Sequence, residues 1–291
     1  MKKIVLIFLS VISLFSSFSQ TSVWKVSKDG NELYLGGTVH VLSASCYPLP
    51  EEFQKAYNKS EMLVFEADID ELANPSIAQE MMKRAIFTDN RTLKSVLSEE
   101  TYNELSKQLL KVSLPIENVE KFKPGMVILT LSAMKMAEMT DFVDGVDKYF
   151  LQKAKEDKKE LDYFESTEYQ IDLIANMGEG NEDQFVRYSI QDLDNMQKDI
   201  SALITTWKDG SGLEAIIELK QMKAEYPDLY KSMIVDRNNN WMVKIEKYLS
   251  DNKIEFVLVG AAHYYGEDGL IQQLKNKGYK VEQLDINMMK E

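Results

Sequence analysis

The sequence predicts an α/β fold with a central mixed β-sheet flanked by helices. Short apolar runs bounded by glycine, which are typical of buried strands, alternate along the chain with segments of helical periodicity. Two of these runs, at 33–40 and 256–263, stand near opposite ends of the chain, and both end in the pattern Gly-x-x-His. The segment between them is mostly helical in pattern, so a largely helical insert is expected to separate the two motif-bearing strands.

Residues 1–20 have the pattern of a signal peptide. Lys2 and Lys3 precede an apolar stretch at 4–15 that is too short to span a bilayer, and small residues follow it. We therefore expect an exported protein, periplasmic or extracellular, whose mature domain is 21–291. No later run is long and apolar enough to span a membrane, so no stable membrane insertion is expected after cleavage.

The composition argues against several classes of partner. The formal net charge is −13 and the chain has no basic cluster, which argues against nucleic acid and anionic membrane surfaces. The only cysteine is Cys46, so no internal disulfide can form and the core must hold the fold. No Pro-, Gly- or Ser-rich linker divides the mature chain, and nothing in it indicates an oligomeric state.

The first strands follow from turn and strand signals. Asp29-Gly30 joins two apolar segments, which predicts a β-hairpin whose second strand leads into the first Gly-x-x-His motif. Another buried strand is predicted at 62–68 and contains Glu66 near its end. A carboxylate inside an apolar run is unfavourable unless it is paired or bound to a cation, which makes Glu66 a candidate site residue.

Helices are predicted over most of the insert. Helical periodicity extends over 71–138, and one long amphipathic helix is predicted over 181–207. A short strand at 159–164 interrupts this pattern and is followed by Glu165, so a second acid stands at a strand end. Residues 142–147 are expected to form a loop.

A further helix is expected to open at Asp236, which places Arg237 and Asn238 in its first turn. A guanidinium in that position can reach a ligand or a carboxylate, although an exposed arginine at a helix start has the same pattern. The chain then closes with a strand at 254–259, the second Gly-x-x-His motif, a helix and a last strand at 281–284.

The two motifs contain the only histidines of the chain, His40 and His263. A single imidazole after a strand is usually a partly buried side chain with an internal partner, but the repeated pattern favours a shared site. Ligands of open α/β sheets bind at the carboxyl ends of the strands. We therefore expect both imidazoles to lie in one cleft lined by Glu66 and Glu165, with Arg237 at its edge. A further group should hold each ring through its other nitrogen.

Together these segments resemble the TraB/GumN family, which is similar to the Tiki metallopeptidases and belongs to a wider group with ChaN-like and erythromycin esterase-like proteins. The resemblance covers essentially the whole mature chain and implies an α/β fold built from two related halves. It is carried by the segments 37–40, 48–50, 63–66, 145–147, 164–170, 237–238, 259–263 and 278–281.

The resemblance implies a metal-dependent hydrolase, most simply a peptidase, acting on a peptide or another small substrate. By this resemblance His40, Glu66 and His263 would ligate a divalent metal ion, and Zn, Mn and Co are not distinguished. The other matched positions are assigned to the reaction or the substrate: Glu165 as general base or further ligand, Arg237 as a donor to an oxyanion or a carboxylate, and Asn238 as a substrate contact.

Two other hypotheses stay open at the level of the sequence. A ChaN-like protein could hold haem or iron without turnover, with the histidines or with Tyr264 and Tyr265 as ligands. The chain could instead be a scaffold or regulator whose site is vestigial, although the two histidines and the two strand-end acids speak against that.

Overall fold

The computed structural model describes residues 20–191, 193 and 195–285 of the chain. The predicted signal peptide, 1–20, lies outside these residues except for Gln20. The described part contains the strands β1 (Gln20–Lys28), β2 (Asn31–Thr38), β3 (Val41–Ser43), β4 (Met62–Phe65), β5 (Phe142–Asp144), β6 (Glu160–Tyr163), β7 (Glu255–Gly260) and β8 (Lys280–Asp285).

Helices make up most of the insert between β2 and β7. They are α1 (Glu51–Lys59), α2 (Ile69–Leu72), α3 (Pro75–Arg84), α4 (Leu93–Val96), α5 (Glu99–Lys111), α6 (Pro124–Ala137), α7 (Val146–Glu156), α8 (Thr167–Ala175), α9 (Glu182–Gln191), α10 (Met196–Lys208), α11 (Leu213–Glu225), α12 (Pro227–Tyr230) and α13 (Asp236–Tyr248). A π-helical turn, Lys231–Val235, joins α12 to α13, and α14 (Leu270–Asn276) connects β7 to β8. Short 3₁₀ turns lie at Ala44–Cys46, Ile116–Asn118 and Ala261–Tyr264. Within the described ranges, every helix is too short or too polar to cross a lipid bilayer.

Six strands form one mixed sheet in the order β6-β4-β7-β2-β1-β8, which confirms the predicted fold class. β6, β4, β7 and β2 are parallel, whereas β1 is antiparallel to both β2 and β8. The predicted hairpin is also present, because β1 and β2 are joined at Asp29 and Gly30, which both have positive φ. The two motif-bearing strands, β2 and β7, are direct neighbours in the sheet.

Four strand ends meet at one edge of this sheet. Because β2, β4, β6 and β7 are parallel, the residues that follow them emerge on the same side. The pairing of β4 with β6 continues past both strands, since the Glu165 N–H donates to the Glu66 carbonyl at 2.8 Å. His40 and His263 follow β2 and β7. The strand order alone therefore brings these four residues to a common edge.

Two large hydrophobic clusters hold the described chain together. The sheet core surrounds β7, where Phe256 contacts Phe53 and Phe150 with ring centroids 6.3 and 5.7 Å apart. The insert core lies among α4, α5, α6 and α9 and includes Leu105 and Phe185. The insert is therefore more than a covering layer, because it buries apolar side chains of its own.

Two predictions about the insert are wrong in detail. The helix predicted over 181–207 is two helices, α9 and α10, with Leu193 and Asn195 between them in turn conformation. The sequence at this junction is rich in Asp and Asn, whose side chains compete with the hydrogen bonds of a helix. The loop predicted over 142–147 contains β5, a three-residue strand that pairs with β3 and is too short to show a pattern.

The first residue of β7 is a buried carboxylic acid. Glu255 is 1% exposed, and its Oε2 has no hydrogen-bond partner among the described residues. Burial, together with the nearby negative charge of Asp251, raises the pKa of Glu255 to about 7. The folded state therefore favours the protonated form.

We expect Glu255→Gln to stabilise the protein at high pH. A carboxyl group whose pKa is raised on folding contributes stability below its unfolded pKa, and this contribution is lost as the pH rises through about 7. The variant avoids that loss, so its free energy of unfolding should exceed the wild-type value by roughly 1–3 kcal/mol at about pH 8 and by much less at about pH 5. Urea denaturation at both pH values measures this, with the exposed Glu179→Gln as control. A difference in the free energy of unfolding between variant and wild type that does not depend on pH would contradict the prediction.

Candidate functional site

Arg237 lies in the first turn of α13, inside the candidate site. Val235 and Asp236 have helical dihedral angles, and the helical backbone continues from α12 through the π turn into α13. The helix α13 begins at Asp236, as predicted, but helical backbone also precedes it. π turns are often found at functional sites. Arg237 is only 4% exposed, so it occupies the centre of the site instead of the cleft edge that the sequence suggests.

The guanidinium of Arg237 contacts three other predicted site residues. Nε donates to Glu165 Oε1 at 2.7 Å, and Nη2 donates to Glu165 Oε2 at 2.9 Å and to Glu66 Oε2 at 2.5 Å. Nη1 lies 3.2 Å from Nε2 of His263. These four residues form the arginine cluster. Four of the five guanidinium N–H groups have partners in it, so one N–H on Nη1 is left without a partner among the described residues.

Glu66 balances the charge of Arg237 from the end of β4. Its Oε1 accepts a hydrogen bond from the Gly260 N–H at 2.7 Å. A Cβ at position 260 would lie 3.2 Å from this oxygen, so the glycine of the second motif allows the close approach. Burial would raise the pKa of Glu66, but Arg237 and then His263 lower it to about 2. Glu66 is therefore ionised across the physiological range.

Glu165 is held on both carboxylate oxygens. Besides Arg237, Oε1 accepts a hydrogen bond from the indole N–H of Trp241 at 2.8 Å, and Oε2 accepts one from the Gln170 amide. The Trp241 ring also lies 4.7 Å from Cζ of Arg237 and 4.3 Å from the ring of His263. These contacts fix Glu165 and the guanidinium in one arrangement.

Asn238 fixes the orientation and the tautomer of His263. Its Nδ2 donates to the backbone carbonyls of His263 and Asp268 at 3.1 and 2.9 Å, so its Oδ1 is the atom that lies 2.7 Å from Nδ1 of His263. Nδ1 therefore carries the proton, and Nε2 presents a lone pair to Arg237. Burial lowers the pKa of His263 to about 3, so the ring is neutral. Asn238 is itself fully buried, and the substrate contact predicted for it has no support in this geometry.

His40 is held by an acid to which the sequence analysis gives no role. Its Nδ1 lies 2.7 Å from Oδ2 of Asp147, and its side chain is 77% exposed. The hydrogen bond to Asp147 raises the pKa of His40 to about 9. Asp147 reaches the ring because Gly145 packs against the motif backbone: a Cβ there would lie 2.0 Å from the Val39 carbonyl oxygen. The Val146 N–H donates to that same oxygen at 3.1 Å.

The predicted site residues are thus gathered at one edge of the sheet. Four of them form the arginine cluster, and the charges of Glu66 and Arg237 also act on the pKa of His40 beside it. The roles proposed for them stay predictions. Asp147 and Trp241 are the functional candidates that the sequence analysis misses. For Asp147 a signal exists, since it lies in the resemblance segment 145–147, but acids are common in first helical turns.

The predicted metal ligands do not fit a divalent ion as they are placed. Among the described residues, no group of three or more His, Cys, Asp or Glu side chains is arranged to hold one. Oε2 of Glu66 and Nε2 of His263 both face the guanidinium of Arg237, so N–H groups occupy the lone pairs that an ion would need. The adjacent positive charge further disfavours a second cation.

The tyrosines considered as iron ligands belong to the core. Tyr264 is 1% exposed, and its hydroxyl donates to the Val257 carbonyl at 3.1 Å. The Tyr265 hydroxyl lies 3.4 Å from Oγ of Ser22. Burial raises the pKa of both phenols, which disfavours the phenolate that would bind iron. The geometry therefore gives no support to the haem or iron hypothesis.

Comparison with known proteins agrees with the resemblance in the sequence. The family model described as TraB/PrgY/gumN family matches residues 22–283. A Xenopus tropicalis protein named Metalloprotease TIKI2 is 24% identical over 302 residues, an alignment that covers 86% of this chain and 57% of that protein. The chain thus spans little more than half of that relative. YbaP of Escherichia coli K12 is 23% identical over 258 residues, which cover 86% of this chain and 90% of YbaP. No solved structure matches the chain.

The pKa values of the two imidazoles should depart from the ordinary value in opposite directions. Because the chain has two histidines, an untagged protein with labelled imidazole carbons gives two sets of ring signals. We expect one, His40, to titrate near pH 9 and the other, His263, to stay neutral down to about pH 5. Asp147→Asn should lower the pKa of His40 towards 6.5 and leave His263 unchanged, because an amide does not stabilise the imidazolium.

Carbon-detected or ¹H–¹³C NMR over a pH series, with a chelator present, measures both pKa values. Asp144→Asn is the matched control, because Asp144 is an exposed acid close in sequence that pairs with Lys148. A wild-type pKa near 6.5 for both rings, or a His40 pKa that Asp147→Asn does not lower, would contradict the assignment.

Removal of the buried guanidinium should destabilise the protein strongly. Arg237→Met leaves the partly buried Glu66 and Glu165 without their counter-ion, which we expect to cost about 3–5 kcal/mol at neutral pH. Arg84→Met is the matched control, because Arg84 also contacts three carboxylates but does so at the surface. Exposed ion pairs contribute little, so this variant should lose much less stability. Urea denaturation measures both free energies of unfolding. Equal losses in the two variants would contradict the prediction that the burial of Arg237 makes its ion pairs important.

Proposed function

Because the chain belongs to the TraB/PrgY/gumN family, we propose that it is a hydrolase that cleaves peptides or other small substrates at the arginine cluster. One observation carries the proposal: a buried guanidinium, two carboxylates and a neutral imidazole meet at the carboxyl ends of parallel strands. The name of the Xenopus tropicalis relative, Metalloprotease TIKI2, supports the same class of reaction.

Arg237 stabilises the negative charge that develops on the substrate carbonyl oxygen. The N–H of Nη1 that has no internal partner donates to this oxygen, while the other four are fixed by the cluster. His263 is neutral and held by Asn238, so it adds no competing positive charge. Because these donors are already in place, the guanidinium needs little reorganisation during the reaction.

His40 moves the proton. Its ring is exposed, and Asp147 orients it through Nδ1. In its neutral form it accepts a proton from water as the water oxygen bonds to the carbonyl carbon, and it returns that proton to the leaving nitrogen as the C–N bond breaks. Both oxygens of Glu165 already accept hydrogen bonds from fixed donors, so we assign it to holding Arg237 instead of to the general-base role suggested by the sequence.

Metal dependence is a separate proposal. It is supported by the name of the Xenopus tropicalis relative and by the motif match of His40, Glu66 and His263, but not by the positions of their donor atoms. Zn, Mn and Co are not distinguished. The roles assigned above therefore use only the side chains of this protein.

We also propose that the protein acts outside the cytoplasm, in the periplasm or the extracellular space. The signal-peptide pattern at 1–20 supports export.

A groove of about 760 Å³ borders Glu165, and its size suits a peptide or another small substrate.

Peptide cleavage by purified protein tests the hydrolase proposal. A mixture of synthetic peptides is incubated with the mature chain, and mass spectrometry identifies the cleaved bonds. We expect wild-type turnover, and a loss of kcat/KM of about 100-fold or more in His40→Ala and in His263→Ala. Arg187→Met, at an exposed arginine outside both the cluster and the groove, should keep its activity. Absence of wild-type cleavage, or equal cleavage by His40→Ala, would contradict the proposal.

Elemental analysis of protein prepared without chelators tests metal dependence. The proposal expects about one divalent ion per chain, lost in both His40→Ala and His263→Ala. Unchanged metal content in both variants, or full activity in excess EDTA, would overturn metal dependence and leave the roles assigned to the side chains standing.

A further inference from the structure

A second cavity lies between helices that lead away from the arginine cluster. Its volume is about 480 Å³, which is within the range of small-ligand pockets. It opens between α8, the start of α9, and the helical run formed by α12 and the π turn. Met233 at its wall packs against the sheet core, whereas Met177 and Leu229 pack against the insert core. The cavity therefore lies at the seam between the two cores.

Two helical segments lead from the arginine cluster to this cavity. α8 begins just after Glu165, and its Tyr169 is close enough for the charges of Glu165 and Arg237 to act on its pKa. Leu173, one turn further along α8, lines the cavity, and so does Met233, one turn before Arg237. One to two helical turns span roughly 6–12 Å, a distance that an extended peptide covers with about two to four residues.

The cavity offers apolar surface to an occupant. Several polar side chains at its rim have partners within the protein: Asn181 Nδ2 donates to Asp228, and the Gln184 amide donates to the Glu225 carbonyl at 2.8 Å. A polar occupant would lose its hydration with little in return, whereas an apolar one gains from leaving water. The apolar walls are formed by Leu173, Met177, Phe185, Leu229 and Met233.

We infer that this cavity binds a large apolar side chain of the substrate, of the leucine, methionine or phenylalanine class, two to four residues from the cleaved bond. The inference rests on the proposed hydrolase function and names the feature of a peptide that the enzyme selects. Leu173 and Met233 determine this specificity without touching the reacting atoms. A small side chain leaves the cavity unfilled, so the substrate loses binding energy there and its kcat/KM falls.

Paired peptides test the inference. Internally quenched peptides that differ only in Leu or Ala, placed two, three or four residues from the cleaved bond, should differ at least tenfold in kcat/KM at one of these positions. Leu173→Trp fills the cavity and should reduce that ratio below about threefold. Leu213→Trp, the same change at a 53% exposed site on α11, should keep the full ratio. A ratio that Leu173→Trp leaves unchanged would overturn the inference.

A second measurement on the wild type separates the cavity from the chemistry. A peptide carrying photo-leucine is cross-linked to the protein, and mass spectrometry maps the attachment sites, which we expect in α8 and in the run from α12 through the π turn. Cross-linking at these sites by a peptide that is never cleaved would overturn the proposed hydrolase function and support peptide binding in the cavity. Cleavage without preference for Leu over Ala, with cross-links elsewhere, would overturn the substrate-binding role of the cavity but not the proposed hydrolase function.

Discussion

The burial of one positive charge is the constraint on which this structure depends. A guanidinium that is 4% exposed is tolerated only when carboxylates lie beside it and most of its N–H groups have partners. Glu66 and Glu165 supply these from the ends of neighbouring strands, while Arg237 comes from a helix, so one ion network joins the sheet to the helices. A register slip of one residue would turn a carboxylate to the other face of its strand and break the network. The buried charge thus helps to specify the fold as well as the site.

The same local motif gives two imidazoles with opposite properties, because their surroundings differ. Both rings are held through Nδ1, and Nε2 of His263 faces Arg237. The partner of His40 is a carboxylate, whose hydrogen bond and negative charge favour the charged form. The partner of His263 is a fixed amide, and the ring is buried beside a guanidinium, which favours the neutral form. The site therefore combines one imidazole that can exchange protons with solvent and one that cannot.

Sequence patterns could predict those parts of the site that depend on neighbours along the chain. Glu66 and Glu165 were identifiable as acids at the ends of apolar runs, and the parallel order of those strands then fixed their common edge. The depth of Arg237 could not be predicted, because a π turn leaves no periodic signature in the sequence. Asp147 was missed because an acid in the first turn of a helix is usually explained by the helix dipole.

The helical insert explains how a site at strand ends could acquire selectivity. The groups of the arginine cluster are tied to strand ends and to one another, so a substitution among them would disturb the buried charge. The neighbouring cavity has walls from both cores, and its apolar side chains have no part in the ion network. Substitutions in the walls can therefore change the volume and shape of the cavity while the cluster stays intact. The cavity walls can therefore alter substrate preference independently, because none of their apolar side chains takes part in the ion network.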